Sequence, residues 1–166
     1  MPVLNNRCVD YLSRIVVSEQ DVLDVVSTLD VNKAVGPDII SNRMLYAVRN
    51  QIAKPLCLLF NTSLRDKTFP YQWKIAHVIS LFKSGDKSLP SNYRPVSLLS
   101  CVGKLLEKIV FKNIFNHLLS HSLLYKFQSG FIPGYSTTYQ LIELYNKILL
   151  ALNNRQITSV TFVDIS

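Results

Sequence analysis

Residues 92–110, NYRPVSLLSCVGKLLEKIV, set a polar, proline-bearing end just ahead of a residue suited to cap a helix. Tyr93-Arg94-Pro95 closes a polar stretch that begins at Lys83 and carries Gly85 and Pro90, so 83–94 reads as a loop. Ser100 can accept a hydrogen bond from an unsatisfied first-turn amide. A long helix is expected from it to about His121, with Leu105, Leu106, Ile109, Val110, Ile114 and Leu118 turned inward. A helix with such a stripe must find apolar partners, and the flanking sequence supplies them.

Toward the N-terminus, Trp73 to Phe82 is short and rich in β-branched residues and reads as a strand. Before it, a helical stretch runs from about Ser41 to Arg65, with Leu45, Val48, Ile52, Leu56, Leu59 and Phe60 as its stripe. Pro55 lacks an amide proton, so a kink or split is expected near Lys54, and Phe69-Pro70 ends the stretch. Gly36-Pro37-Asp38 marks a turn. Ser18-Glu19-Gln20-Asp21 resembles a capping box, opening a helix to about Leu29 with Val22, Val25, Val26 and Leu29 on one face. Toward the C-terminus, 128–135 is an irregular loop. Thr137 to Gln140 reads as a capping box for a helix with Leu141, Leu144, Ile148 and Leu152 on one face, and Ile157 to Ile165 as a buried strand ending in Asp164. The order is mainly helical with two or three strands and no repeat or linker, an α+β class.

The 166 residues are 48% hydrophobic, enough for one domain with a core. Lys and Arg outnumber Asp and Glu by 18 to 11, which suits a polyanionic partner. The three cysteines, Cys8, Cys57 and Cys101, are far apart and form no C-x-x-C pair, which fits a reducing compartment. The first residues do not form a signal peptide, and no apolar run approaches the ~18 residues of a membrane span. An intracellular protein of cytoplasm and nucleus is expected, neither secreted nor membrane-bound.

Asp164 is the residue with the clearest chemical potential. Nucleotidyl transfer uses carboxylates at a sheet edge to hold two divalent ions about 4 Å apart. By spacing alone, an Asp at a strand end is more commonly a turn residue. In the loop, Lys83 and Arg94 could lie over a triphosphate, Arg binding its oxygens bidentately, although a solvated surface loop has the same composition. His117 and His121 stand at i, i+4, a zinc-compatible spacing. Without H-E-x-x-H or a nearby cysteine, the pair reads as a surface or half-buried feature. G-x-S-x-G, P-loop and G-x-G-x-x-G patterns are absent from the sequence.

Five segments in order resemble the reverse transcriptase domain of non-LTR (LINE-type) retrotransposons. They are 29–44 (LDVNKAVGPDIISNRM), 69–86 (FPYQWKIAHVISLFKSGD), 92–110, 127–141 (FQSGFIPGYSTTYQL) and 160–166 (VTFVDIS). The resemblance implies a partial right-hand polymerase fold, fingers plus first palm strand, over 18–166, with 1–17 as an N-terminal extension. It implies an RNA-directed DNA polymerase working by two-metal nucleotidyl transfer with Mg²⁺, an RNA template, a DNA primer and deoxynucleoside triphosphates. The remaining palm and thumb of the parent polymerase would be further partners. Asp164 then resembles the first metal-binding carboxylate, and the Ile165 carbonyl could join the same ion. Lys83 and Arg94 resemble contacts to the incoming triphosphate. Gln128, Gly130 and Phe131 match a segment near template and primer terminus, and Lys33, with the turn at Gly36 to Asp38, would lie toward the template entry.

Two positions depart from the family pattern: Ile132 and Tyr135 stand where it usually has Arg, which removes two cations from a nucleic-acid-facing loop. The family's later Asp-Asp hairpin is not in the sequence, so the chain by itself is expected to be inactive. A degenerate, non-catalytic remnant or a basic nucleic-acid-binding or interaction domain are the alternatives.

Overall fold

A computed structural model describes residues 11–164. Its elements are α1 (Glu19–Ser27), α2 (Asn42–Ala47), α3 (Arg49–Arg65), α4 (Tyr71–Lys74), β1 (Ala76–Phe82), β2 (Tyr93–Leu99), α5 (Cys101–Ser120) and α6 (Thr137–Asn153), with a single 3-10 turn at Pro90–Asn92. This is an α+β chain. It divides into two compact units, Met1–Leu123 and Leu124–Ser166.

In the first unit, local capping chemistry starts the helices. The Ser18 side chain accepts from the Asp21 amide at 3.0 Å, and the Asp21 carboxylate accepts from the Ser18 amide at 3.0 Å. That reciprocal box opens α1 as expected, and Val22, Val25 and Val26 are buried on its inner face. Ser41 caps α2 through the Met44 amide. Ser100, fully buried, caps α5 through the Gly103 amide at 3.3 Å. The core joins Val17, Val22, Val25, Val26, Leu45, Ala53 and Phe60 to Cys101, Val102, Leu105, Leu106 and Ile109 of α5. Phe60 and Phe69 each meet Trp73 edge-on, at 5.9 and 5.5 Å between ring centres.

Several expectations need correction. The 41–65 stretch breaks at Val48 (φ −109°, ψ 18°), not near Lys54. Pro55 stays inside α3 because it and Gln51, whose carbonyl loses its amide partner, both face solvent. The break resets the helical phase, leaving Val48 and Leu59 exposed while Ile52, Leu56 and Phe60 pack inward. Trp73 belongs to α4 rather than to a strand, and Ile114 of α5 is exposed. The expected loop 83–94 is shorter, because Tyr93 and Arg94 already belong to β2. The two strands pair antiparallel from Ala76↔Leu99 to Phe82↔Tyr93.

In the second unit, the cap of α6 is Ser136, which accepts from the Tyr139 amide at 3.3 Å, one residue before the expected Thr137. α6 buries none of its residues: Leu144 and Ile148 are half-covered, whereas Leu141 and Leu152 are open. The expected strand at 157–165 is not formed over its described part. Residues 155–164 lie outside regular structure, and Phe162 and Val163 are exposed. A strand needs a neighbour for its amides and carbonyls, and among the described residues the only sheet is β1–β2. No helix among the described residues is long and apolar enough to cross a membrane.

Candidate nucleic-acid interface

The β1–β2 register decides where the two candidate cations stand. Leu81 is paired with Arg94 and Phe82 with Tyr93. The ladder continues one step further, the Lys83 amide donating to the Asn92 carbonyl at 2.8 Å. Directly opposed residues share a face, and faces alternate along a strand. Lys83, Leu81 and Arg94 therefore lie on one face, and Phe82 and Tyr93 on the other, where their rings meet edge-on at 5.5 Å. Lys83 and Arg94 are both exposed, and among the described residues neither has a carboxylate within ion-pair distance.

The tip that joins the strands is closed by its own hydrogen bonds. Asp86 accepts from the Ser88 amide and hydroxyl, both at 2.8 Å, and the backbone bond first, then the hydroxyl, holds its carboxyl below the usual aspartate range. Asn92 donates from Nδ2 to the Asp86 carbonyl at 2.8 Å, and the Tyr93 hydroxyl donates to the Lys87 carbonyl at 2.9 Å. Gly85 has φ +89°, a conformation open to glycine, and a Cβ there would stand 2.7 Å from Asn92 Nδ2. Lys87 reaches over the Phe82 ring at 5.6 Å.

Lys33 sits in the same unit, exposed and 3.8 Å from Asp30. With Lys104, Leu29, Asn42 and Leu98 it lines a cleft. The neighbouring Gly36–Asp38 turn, buried at Gly36 and half-buried at Asp38, is a tie to the β2–α5 junction. A Cβ at Gly36 would come within 2.6 Å of the Leu99 carbonyl group, and Ser100 donates to Asp38 Oδ2 at 2.6 Å. Ile40 donates to the other carboxylate oxygen of Asp38 at 3.3 Å. That tie fixes the end of β2 and the start of α5.

Gln128, Gly130, Phe131 and Asp164 belong to the second unit. Gln128 donates from Nε2 to the Gly130 carbonyl at 3.1 Å, and Phe131 is fully exposed with φ +62°. Phe127 lies beneath two lysines, Lys126 at 4.8 Å and Lys147 at 5.5 Å. Asp164 is exposed and in no strand, so the expected buried strand tip is not its setting. Ile165 lies outside the described residues. Those residues do not form a divalent-ion centre by themselves: they contain no cluster of three carboxylate, histidine or cysteine side chains able to hold a metal. One exposed carboxylate does not by itself make a two-ion site. His117 and His121 are half-buried, their rings 4.3 Å apart.

Sequence reasoning singled out Lys83 and Arg94 but missed Asn92 and Tyr93, whose roles depend on the cross-strand register. The spacing Asp86-x-Ser88 was the available signal for a closed turn. The Asp38–Ser100 bond, 62 residues apart, left none.

No family model matches the chain. Curated relatives do. The chain is 31% identical over 146 residues, 87% of its length, to a probable RNA-directed DNA polymerase from transposon BS of Drosophila melanogaster. To a probable RNA-directed DNA polymerase from transposon X-element of the same fly it is 32% identical, again over 87% of the chain. To the RNA-directed DNA polymerase from mobile element jockey of Drosophila funebris it is 34% identical over 150 residues, 90% of the chain. The chain spans 16% of the length of each of these relatives. It is homologous to one segment of the RNA-directed DNA polymerases of non-LTR retrotransposable elements, the family that its five sequence blocks resemble.

Proposed function

We propose that this chain supplies the nucleotide-facing part of an RNA-directed DNA polymerase, a partial right-hand polymerase domain over 18–166 preceded by an extension at 1–17. Lys83 and Arg94 bind the triphosphate of an incoming deoxynucleotide, Arg94 gripping two oxygens at once and Lys83 acting as a mobile point charge. Gln128, Gly130 and Phe131 lie along the template and primer terminus, and Lys33 lies toward the entering RNA template. Asp164 is one carboxylate of a Mg²⁺ centre, joined by the Ile165 carbonyl and by ligands from beyond the described residues. The remaining palm and thumb are the structural partners that complete the enzyme.

The observation that carries this reading is the placement of Lys83 and Arg94 on one exposed face of a hydrogen-bonded hairpin, with no carboxylate neutralising either among the described residues. A cation pair held open in this way is suited to phosphate oxygens. The test is the anisotropy of a fluorescent deoxynucleoside triphosphate titrated with the chain at low salt, beside Lys83→Ala and Arg94→Ala. Each substitution is expected to weaken binding roughly ten-fold or more, the loss of one charge-assisted contact. No binding to the unmodified chain, or binding that neither substitution weakens, refutes the assignment.

A further inference from the structure

Four hydrogen bonds and one packing constraint converge around Asn92. Its carbonyl accepts from the Lys83 amide at 2.8 Å, making it the cross-strand partner of that cation. Its own amide donates to the Leu89 carbonyl at 3.1 Å, which closes the 3-10 turn. Its side chain donates to the Asp86 carbonyl at 2.8 Å. Asp86 in turn accepts through the same carbonyl from the Leu89 amide at 3.3 Å. The Asn92 amide group also fills the space that a side chain at Gly85 would need.

We propose that Asn92 is a positioning residue that holds Lys83 beside Arg94 by closing the hairpin tip. The inference rests on the reading of those two cations as triphosphate contacts. Arg94 lies in β2 two residues beyond Asn92, which ends the 3-10 turn, and Lys83 faces Asn92 across the extended ladder, so one side chain governs the alignment of both. Without the Asn92–Asp86 bond the 84–91 segment can open, and the last rung of the ladder is lost with it. A slip of one residue would turn Lys83 to the opposite face, where Phe82 and Tyr93 now stand. Tyr93 is a separate latch. Its hydroxyl bonds Lys87 on that aromatic face and leaves the Lys83 rung untouched.

The test uses the whole chain, titrated with inorganic tripolyphosphate while NMR follows the Lys83 amide and the Arg94 Nε–H. Both signals are expected to move together. Asn92→Ala is expected to weaken the response roughly five-fold and to speed hydrogen exchange at the Lys83 amide, while the Val26 and Phe60 amides keep their positions. Tyr93→Phe is expected to leave the response unchanged. If Asn92→Ala disturbs the core signals, Gly85→Ala takes its place: the three nearest atoms its new methyl group would meet all belong to the Asn92 side chain, and φ +89° strains the same hairpin tip, so the same loss is expected.

The Asn92 effect should shrink once Lys83 is already alanine. An equal loss in both backgrounds means Asn92 acts independently of Lys83, and the positioning role falls. An undiminished response in Asn92→Ala overturns it too, with the nucleotide reading intact. Failure of tripolyphosphate to move either cation in the unmodified chain overturns the nucleotide reading, and the positioning role with it.

Discussion

Replacing Gly36 by alanine should loosen the whole first unit, although the residue lies outside the β1–β2 hairpin that carries Lys83 and Arg94. The added methyl would sit 2.6 Å from both the carbon and the oxygen of the Leu99 carbonyl and 2.7 Å from the Ser100 nitrogen. These are backbone atoms at the join of β2 and α5, and they cannot rotate away as a side-chain tip would. Overpacking of this kind costs about 1–3 kcal/mol. The shift also strains the 2.6 Å bond from Ser100 to the Asp38 carboxylate, a charge-assisted contact with a typical contribution of about 1.5–3 kcal/mol. A combined loss of about 3–5 kcal/mol is a large share of the roughly 5–15 kcal/mol that stabilises a domain. Urea denaturation followed by circular dichroism measures it, with the midpoint expected to fall by about 2 M for a slope near 2 kcal/mol per M. Ser100→Ala should be less than additive with Gly36→Ala, because both act on one junction. A midpoint that moves by less than about 0.3 M in Gly36→Ala, or strict additivity of the pair, would refute the argument.

Acid should fray α1 from its N-terminus. The Ser18 hydroxyl bond, then the Ser18 amide bond, holds the Asp21 carboxyl below its ordinary value. A depressed carboxylate stabilises the fold above its unfolded pKa, and that contribution disappears as pH falls through the lowered folded value. Backbone shifts of Ser18 to Val22 should therefore move in the acid range, and Asp21→Asn should abolish that step. Alkylation of the chain should reach Cys57 before Cys101, because burial pushes the Cys101 thiol up and keeps it protonated; peptide mass spectrometry reads the order, and equal rates would contradict it. In a polymerase carrying this segment, Asp164→Asn should cut primer extension by at least about a hundred-fold, and unimpaired extension would remove the carboxylate from the metal site.

Where a signal fits within a few residues, the sequence discloses the structure. Ser18 with Asp21, and Ser100 ahead of Cys101, each satisfy a first-turn amide locally, so both helix starts were legible. β2 was not. Pro95 interrupts its alternation, and a proline is tolerated there because both strands of a two-stranded sheet are edges. The expected strand at 157–165 shows the opposite failure: its residue types suit a strand, yet no described neighbour pairs with 157–164. The candidate site divides in the same way. Lys83 and Arg94 stand out by type and by the loop between them. Asn92 becomes visible only when the Lys83–Asn92 rung is known, and the Asp38–Ser100 tie only when segments 62 residues apart are brought together.

The composition of the core also sets an order of events during synthesis. Val22, Val26 and Phe60 leave the ribosome well before Cys101, Val102, Leu105, Leu106 and Ile109, the α5 residues that cover them. At about 5–20 residues per second, the earlier helices wait several seconds with their apolar faces uncovered. A nascent chain stalled before α5 emerges would hold helices without a closed interior, a natural substrate for chaperones. The Ser100–Asp38 bond becomes possible once the head of α5 appears, before Leu105, Leu106 and Ile109 arrive to close the first unit.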